Sequence, residues 1–115
     1  MKQTVVFDFD GVIHSYTSGW QGASCIPDPP VSGIKEVIAE LRAEGYEVVV
    51  VSARANTLLG DGAIRNYLRQ HYITVDRVTS EKPPALVYVD DRAITFNGKT
   101  EGLVEQIKNF KPWNR

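Results

Sequence analysis

Acidic, hydroxyl and cationic side chains follow three apolar segments of this sequence, in an order that suits the binding of a cation and a phosphate. Asp8 and Asp10 close the first segment, Ser52 and Arg54 follow the second, and Asp90, Asp91 and Arg92 follow a later one. An extended chain points the carboxylates of Asp8 and Asp10 to the same side, where their charges repel unless a cation lies between them. Carboxylate ligands with positions left for water or phosphate are typical of Mg²⁺, and the chain has no Cys/His set for Zn²⁺. The sequence therefore predicts a Mg²⁺ site.

The same residues suit phosphoryl transfer. A cation beside Ser52, Lys82 and an arginine can stabilise the oxygens of a transferring phosphoryl group. One carboxylate can attack phosphorus and form an aspartyl-phosphate, while a second acts as general acid and then as general base. Asp8 and Asp10 fit these two roles. Either Arg54 or Arg92 could bind the substrate phosphate, and either could instead pair with the acidic cluster.

The elements that must position these side chains alternate between strand and helix patterns. Runs of β-branched and aromatic residues predict strands over residues 4–9, 46–51, 73–78 and 85–89, with a short β element over residues 94–96. Apolar residues at helical spacing predict three helices, through Ile34, Val37, Ile38 and Leu41, through Ile64, Tyr67, Leu68 and His71, and through Leu103, Val104, Ile107 and Phe110. We expect Ser32 to cap the first helix, Gly45 to end it and residues 111–115 to fray. This alternation predicts an α/β domain of three layers with a mainly parallel sheet, whose ligands bind beyond the carboxyl ends of the strands.

Residues 11–30 are rich in Gly, Pro and Ser and lack a helical period, which indicates an irregular flap after the first strand. His14 in this flap could reach a substrate, or it could be an ordinary polar surface residue. Trp20 could stack on a base or a sugar, or it could anchor the flap to the core. Cys25 has no evident neighbour that would stabilise a thiolate, so we expect it to play no catalytic part.

Composition bounds the class of protein. The 115 residues favour a single domain over 1–115 with one core. A net charge of −1 favours neither a nucleic acid partner nor an anionic membrane surface. The lone Cys25 excludes an internal disulfide, and no segment predicts an export signal, so we expect a reducing cytoplasm. The longest aliphatic run, residues 48–51, is too short for a transmembrane helix.

Four segments of the chain resemble, in order and spacing, the motifs of the haloacid dehalogenase (HAD) superfamily. They are VVFDFDGVIH, VVVVSAR, SEKPP and ALVYVDDR, and the resemblance runs from the first strand to the final helix. It implies a Rossmann-like core and a phosphatase that forms an aspartyl-phosphate. By this resemblance Asp8 is the nucleophile and a Mg²⁺ ligand, and Asp10 is the acid/base that also offers its backbone carbonyl to the metal.

The resemblance assigns roles to the later motifs as well. Ser52 would bind the phosphoryl group, and Lys82 would neutralise the phosphorylated Asp8. Asp90 and Asp91 would complete the metal shell, with Asp91 favoured as the direct ligand.

Family members usually insert a cap domain after the first or third strand, and this chain has room for neither, so it resembles the capless members. The implied site is open to solvent, which suits an exposed phosphate on a polymer, glycan or protein, while a small phosphometabolite stays a candidate. Nucleic acid enters only as a substrate, and a homo-oligomer formed through the flap is a further expectation. Two other functions remain open. A phospho-receiver module has this size and an acidic pocket but a different motif order, and a HAD fold can also serve as a non-catalytic binding protein.

Overall fold

A parallel sheet of four strands forms the centre of the protein. The computed structural model describes residues 2–114. The strands are β1 (Thr4–Asp8), β2 (Glu47–Val51), β3 (Arg77–Thr79) and β4 (Val87–Val89), in the spatial order β3-β2-β1-β4. The helices are α1 (Ile34–Ala43), α2 (Leu58–Gln70) and α3 (Leu103–Lys108), and a 3₁₀ turn spans Ala53–Asn56. The predicted α/β fold with a parallel sheet is confirmed. No helix within residues 2–114 is long and apolar enough to cross a membrane.

The register of the strands aligns the residues that follow them. Asp8 at the end of β1 pairs with Val51 at the end of β2, so Ser52 comes one residue beyond this level. On the other side of β1, Phe7 pairs with Val89, which places Asp90 level with Asp8. Because all the strands are parallel, these side chains meet at one edge of the sheet.

One face of the sheet forms the core with α1 and α2. Alternate strand residues point to this face, namely Val5 and Phe7 from β1 and Val48 and Val50 from β2. Ile34 and Ile38 from α1 and Ile64, Tyr67 and Leu68 from α2 pack in the same buried cluster. Burial of each aliphatic side chain contributes on the order of 2 kcal/mol, so this cluster holds both helices against β1 and β2.

The opposite face carries less helical cover. Of the described α-helices, α1 and α2 cover the first face, so α3 is the one that could form a third layer, and none of its residues is buried. Val6 and Val49 are nevertheless buried on this face. Residues 80–86 run from the carboxyl edge of the sheet back to the amino edge, since β3 and β4 are parallel. The Tyr88 hydroxyl donates a hydrogen bond to the Pro83 carbonyl over 2.7 Å, so this connection lies against β4.

Four local expectations were wrong. Ser32 does not cap α1, because the N-cap residue is Gly33, with φ 85°, and no side chain caps this helix. The third strand begins at Arg77 rather than at residue 73, because Ile73 is buried in the helix-side core. Residues 94–96 form no strand.

The fourth wrong expectation concerns the C-terminal segment, which is held by hydrogen bonds rather than frayed. The Trp113 indole Nε1 donates to the Gly11 carbonyl over 2.6 Å, and Asn114 Nδ2 donates to the Ser15 carbonyl over 2.8 Å. Arg115 lies outside the described residues. By contrast, Gly45 follows α1 with φ 94°, as the sequence predicts for a residue that ends a helix.

Candidate active site

A cavity of about 250 Å³ opens at the carboxyl edge of the sheet. Its lining includes Tyr16 and seven residues singled out from the sequence, which are Asp8, Asp10, Trp20, Ser52, Arg54, Asp90 and Arg92. The fold therefore brings the predicted strand-end residues to one place. Lys82 is not among the described residues that line this cavity.

Three carboxylates form a cluster beside the cavity. One oxygen from each of Asp8, Asp90 and Asp91 lies within 4.8 Å of the others. Burial, the charge of Asp90 and a hydrogen bond with Asp91 together raise the pKa of Asp8 to about 8, and burial has the largest effect. Without a counter-charge, the native fold thus disfavours ionised Asp8.

The donor set of this cluster fits a divalent cation that prefers oxygen ligands, as Mg²⁺ does. Among the described residues, the buried Oδ1 of Asp91 has no hydrogen-bond partner. A buried oxygen of this kind destabilises the folded state unless an ion or a water molecule binds to it. Both oxygens of Asp90, by contrast, already have contacts. Its Oδ1 accepts a hydrogen bond from the Arg92 backbone N–H over 2.9 Å, and its Oδ2 lies 3.9 Å from Lys82 Nζ. The side chain of Asp10 does not belong to this cluster.

A close approach of the backbone shapes the same cluster. Gly11 has φ +88°, and a Cβ at this position would overlap the Asp91 carboxylate. Glycine is therefore needed here both for its backbone conformation and for the space that Asp91 occupies. The Asp-Gly pair could be identified as a turn from the sequence, but the contact with Asp91 could not.

Asp10 faces two donors from other parts of the chain. Its Oδ1 lies 2.8 Å from His14 Nδ1, and its Oδ2 accepts from Arg54 Nε over 2.9 Å. Burial by itself raises the pKa of Asp10, but the hydrogen bonds from His14 and Arg54 outweigh burial, so the pKa is below its usual value. The carboxylate is the favoured form of Asp10 in this arrangement.

Arg54 connects Asp10 to the flap. Its side chain is almost completely buried. Its Nη1 donates to the carbonyls of Gly22, Ala23 and Cys25 over 2.7, 2.9 and 3.2 Å. The guanidinium also lies 4.6 Å from the centre of the Trp20 ring, so this half-exposed indole covers it. Its buried Nη2 has no hydrogen-bond partner among the described residues, so the N–H groups of this atom are without an acceptor in a residue that lines the cavity.

Ser52 and Lys82 differ in their surroundings. The buried Ser52 hydroxyl accepts a hydrogen bond from the Arg54 backbone N–H over 3.2 Å, so it caps the 3₁₀ turn and keeps its own proton free to donate. Lys82 is half-exposed and lies near Asp90 and over the Tyr88 ring, with 5.1 Å between Nζ and the ring centre. Its approach to Asp8, implied by the resemblance, stays a prediction.

His14 is fully buried, so its ring does not face the solvent where a substrate would arrive. The ring packs among Phe9, Tyr16 and Tyr67, with centre-to-centre distances of 5.8, 5.8 and 5.5 Å. The backbone N–H of Asp28 donates to His14 Nε2 over 3.1 Å. Sequence reasoning did not identify Asp28 or Tyr67 as neighbours of the site, because no periodicity connects them to it.

Comparison with models of known protein families gives no match. Comparison with curated protein sequences gives no significant match. Among solved structures, a conserved protein from Bacteroides thetaiotaomicron aligns with a TM-score of 0.62 and 22% identity, over 94% of this chain and 91% of that one.

Two further structures that align with this chain are of the Pnkp1/Rnl/Hen1 complex, one of them described as an RNA repair complex. They have TM-scores of 0.58 and 0.57 and identities of 16% and 17%. This chain aligns over 98% of its length and spans 36% and 33% of theirs, about a third of the matched chains. At these identities the likeness shows the fold alone.

Proposed function

We propose that this protein is a Mg²⁺-dependent phosphomonoester hydrolase of the HAD type, which forms an aspartyl-phosphate on Asp8. The observation that carries this proposal is the cluster of Asp8, Asp90 and Asp91 beside a cavity that Ser52 and Arg54 also line. The order of the four sequence motifs supports the same conclusion, and the fold of the structural neighbours is consistent with it.

Asp8, Asp91 and the backbone carbonyl of Asp10 would hold the cation, with Asp90 close by. The unpartnered Oδ1 of Asp91 supports this choice over Asp90, whose two oxygens already face Arg92 and Lys82. When bound, the cation would offset the negative charge of the phosphoryl oxygens and of the carboxylates around them.

The protein groups divide hydrolysis into two steps. The Ser52 hydroxyl and Arg54 Nη2 bind phosphoryl oxygens and orient the group. An Asp8 oxygen forms a bond to phosphorus while the bond from phosphorus to the leaving oxygen breaks. The leaving oxygen takes its proton from the protonated form of Asp10, which is the minor form because the hydrogen bonds from His14 and Arg54 lower the pKa of this carboxyl. Asp10, now a carboxylate, takes a proton from water as the water oxygen bonds to phosphorus and the bond to Asp8 breaks. Inorganic phosphate leaves and both aspartates return to their starting states.

The accessible substrates are phosphomonoesters that a small, uncapped site can reach. The cavity of about 250 Å³ can hold a phosphoryl group with part of its leaving group, so the rest of a large substrate would lie outside it. The neighbours from an RNA repair complex make a phosphorylated RNA end one substrate to test. Phosphorylated sugars, nucleotides, glycans and peptides are the other classes.

Phosphate release from a panel of these phosphomonoesters tests the proposal. We expect turnover with Mg²⁺, none with a chelator, and none for Asp8→Asn under either condition. The matched control is Asp61→Asn, because Asp61 forms an exposed pair with Arg65 on α2, away from the cavity. Turnover by Asp8→Asn at the wild-type rate would refute the nucleophile. Stable phosphorylation by acetyl phosphate without turnover would instead favour a receiver module, and no binding of Mg²⁺ or phosphate would favour a non-catalytic protein.

A further inference from the structure

The buried contact between His14 and Asp10 assigns His14 a part that the sequence motifs do not specify. His14 Nδ1 lies 2.8 Å from Asp10 Oδ1, and the ring has no exposed surface. His14 is also not among the described residues that line the cavity, so its ring does not meet a substrate there. Any effect of His14 on the reaction must therefore pass through the groups that its two ring nitrogens contact.

The hydrogen bonds decide which nitrogen of His14 carries the proton. The Asp28 backbone N–H points at Nε2 over 3.1 Å, and since a backbone N–H can only donate, Nε2 must be the acceptor. A neutral imidazole with an acceptor at Nε2 carries its proton at Nδ1, which then donates to Asp10. The Asp28 carboxylate also lies 3.5 Å from Nε2, but its two oxygens accept the Ser18 N–H and hydroxyl over 2.8 and 2.6 Å.

Two donors thus fix the carboxylate of Asp10 from two directions. His14 holds Oδ1, and Arg54 holds Oδ2 over 2.9 Å. Each carboxylate oxygen has a second lone pair, so Asp10 can still exchange a proton with a substrate or a water in the cavity. A carboxylate held at both oxygens keeps one orientation, and proton transfer depends on that orientation.

We propose that His14 is a positioning residue for Asp10, and that the flap sets its tautomer through the Asp28 backbone. This proposal rests on the proposed function, in which Asp10 protonates the leaving group. Loss of the Nδ1–H donor leaves the Asp8 cluster intact but lets the Asp10 carboxylate turn away from the leaving oxygen.

The first test compares two probe substrates of similar shape, p-nitrophenyl phosphate and phenyl phosphate. The nitrophenolate group leaves with little help from an acid, whereas phenolate needs more. The value of kcat/KM reports the steps up to release of the leaving group, so the ratio between the two substrates measures help from Asp10. A variant that only lowers the amount of folded enzyme changes both values equally and leaves the ratio unchanged.

His14→Leu removes the donor and keeps an apolar side chain in the pocket, and we expect it to lower kcat/KM for phenyl phosphate about tenfold more than for p-nitrophenyl phosphate. His14→Asn offers an amide N–H near the place of Nδ1, so it should return the ratio of the two kcat/KM values most of the way to that of the wild type. Tyr67→Phe is the matched control, since its hydroxyl donates to the Asp28 carbonyl within the same buried cluster. A ratio in His14→Leu equal to that in Tyr67→Phe would overturn the proposal.

The second test does not depend on activity. The two-bond correlation of imidazole protons with ¹⁵N identifies the tautomer directly, and His71→Gln assigns the signals because the chain has two histidines. We expect neutral His14 protonated at Nδ1. A proton at Nε2 contradicts the proposal whatever Asp8→Asn does, whereas turnover by Asp8→Asn contradicts the proposed function alone.

Discussion

Replacement of Asp8 by Asn should stabilise the metal-free protein, and increasingly so as the pH rises. In the folded chain, burial and the neighbouring Asp90 and Asp91 raise the pKa of Asp8 from 3.8 to about 8. Between these two values the native state holds a proton that the unfolded state has released. Raising the pH therefore favours the unfolded state through this group. Asparagine carries no charge, so it removes this pH-dependent penalty.

The size of the effect follows from the difference in pKa. Each pKa unit corresponds to about 1.4 kcal/mol, so a shift of roughly four units sets an upper limit of about 6 kcal/mol. Asp8 is only partly buried and adjoins two carboxylates that can move apart, so we reduce this limit by half, to about 2–3 kcal/mol. The difference between the two proteins should be constant below about pH 4, grow through the range of pH 4 to 8, and level off above it.

Urea unfolding of wild-type protein and Asp8→Asn in the presence of a chelator, from pH 5 to pH 9, measures this difference. Asp61→Asn is the control for an exposed carboxyl on α2. The lowered pKa values of Asp10, Asp28 and Asp76 affect wild-type protein and Asp8→Asn alike, so the comparison reports Asp8 together with its repulsion from Asp90 and Asp91. A difference in unfolding free energy that does not change between pH 5 and 8 would refute the reasoning. Added Mg²⁺ should stabilise the wild type more than Asp8→Asn, since Asp8 is one of its expected ligands.

Three further substitutions test other contacts of the site and the fold. Gly11→Ala should weaken Mg²⁺ binding in calorimetry at least about tenfold, because the new Cβ would displace Asp91. Gly98→Ala is the control, since Gly98 has nearly the same φ but open space around it. Unchanged Mg²⁺ binding by Gly11→Ala would contradict the contact between Gly11 and Asp91. Trp113→Phe removes the donor to the Gly11 carbonyl and should cost about 1 kcal/mol of unfolding free energy in urea; no loss would mean that the C-terminal segment is not held there. Thr57→Ala removes the side-chain cap of α2 and should cost about 1 kcal/mol by the same assay, with activity per folded molecule unchanged.

The parts of the fold that the sequence predicts well are those with a long apolar signal. The strands β1 and β2 are continuous runs of buried residues, and parallel pairing then requires that Asp8 and Ser52 meet at one edge. The predicted start of β3 at residue 73 was wrong, because Ile73 is as apolar as a strand residue but packs in the core cluster with the helices. Apolar character alone does not distinguish these two environments.

The parts that could not be predicted depend on contacts between distant positions. Arg54 could pair or bind substrate by its sequence alone, and only the structure shows its Nε on Asp10 and its Nη1 on the flap carbonyls. His14 lies in a segment without periodicity, so its burial left no signal. Trp113 reaches Gly11 across nearly the whole chain, which no local pattern records.

The covalent intermediate tests the central claim most directly. Asp10→Asn keeps the nucleophile but lacks the general base, so with Mg²⁺ and p-nitrophenyl phosphate it should release one equivalent of p-nitrophenol and then stop. Acid quench, intact mass and peptide mapping should then show one added phosphoryl group, located on Asp8. A phosphoryl group on any other residue, or turnover by wild-type protein with no phosphoryl group trapped in Asp10→Asn, would contradict the account.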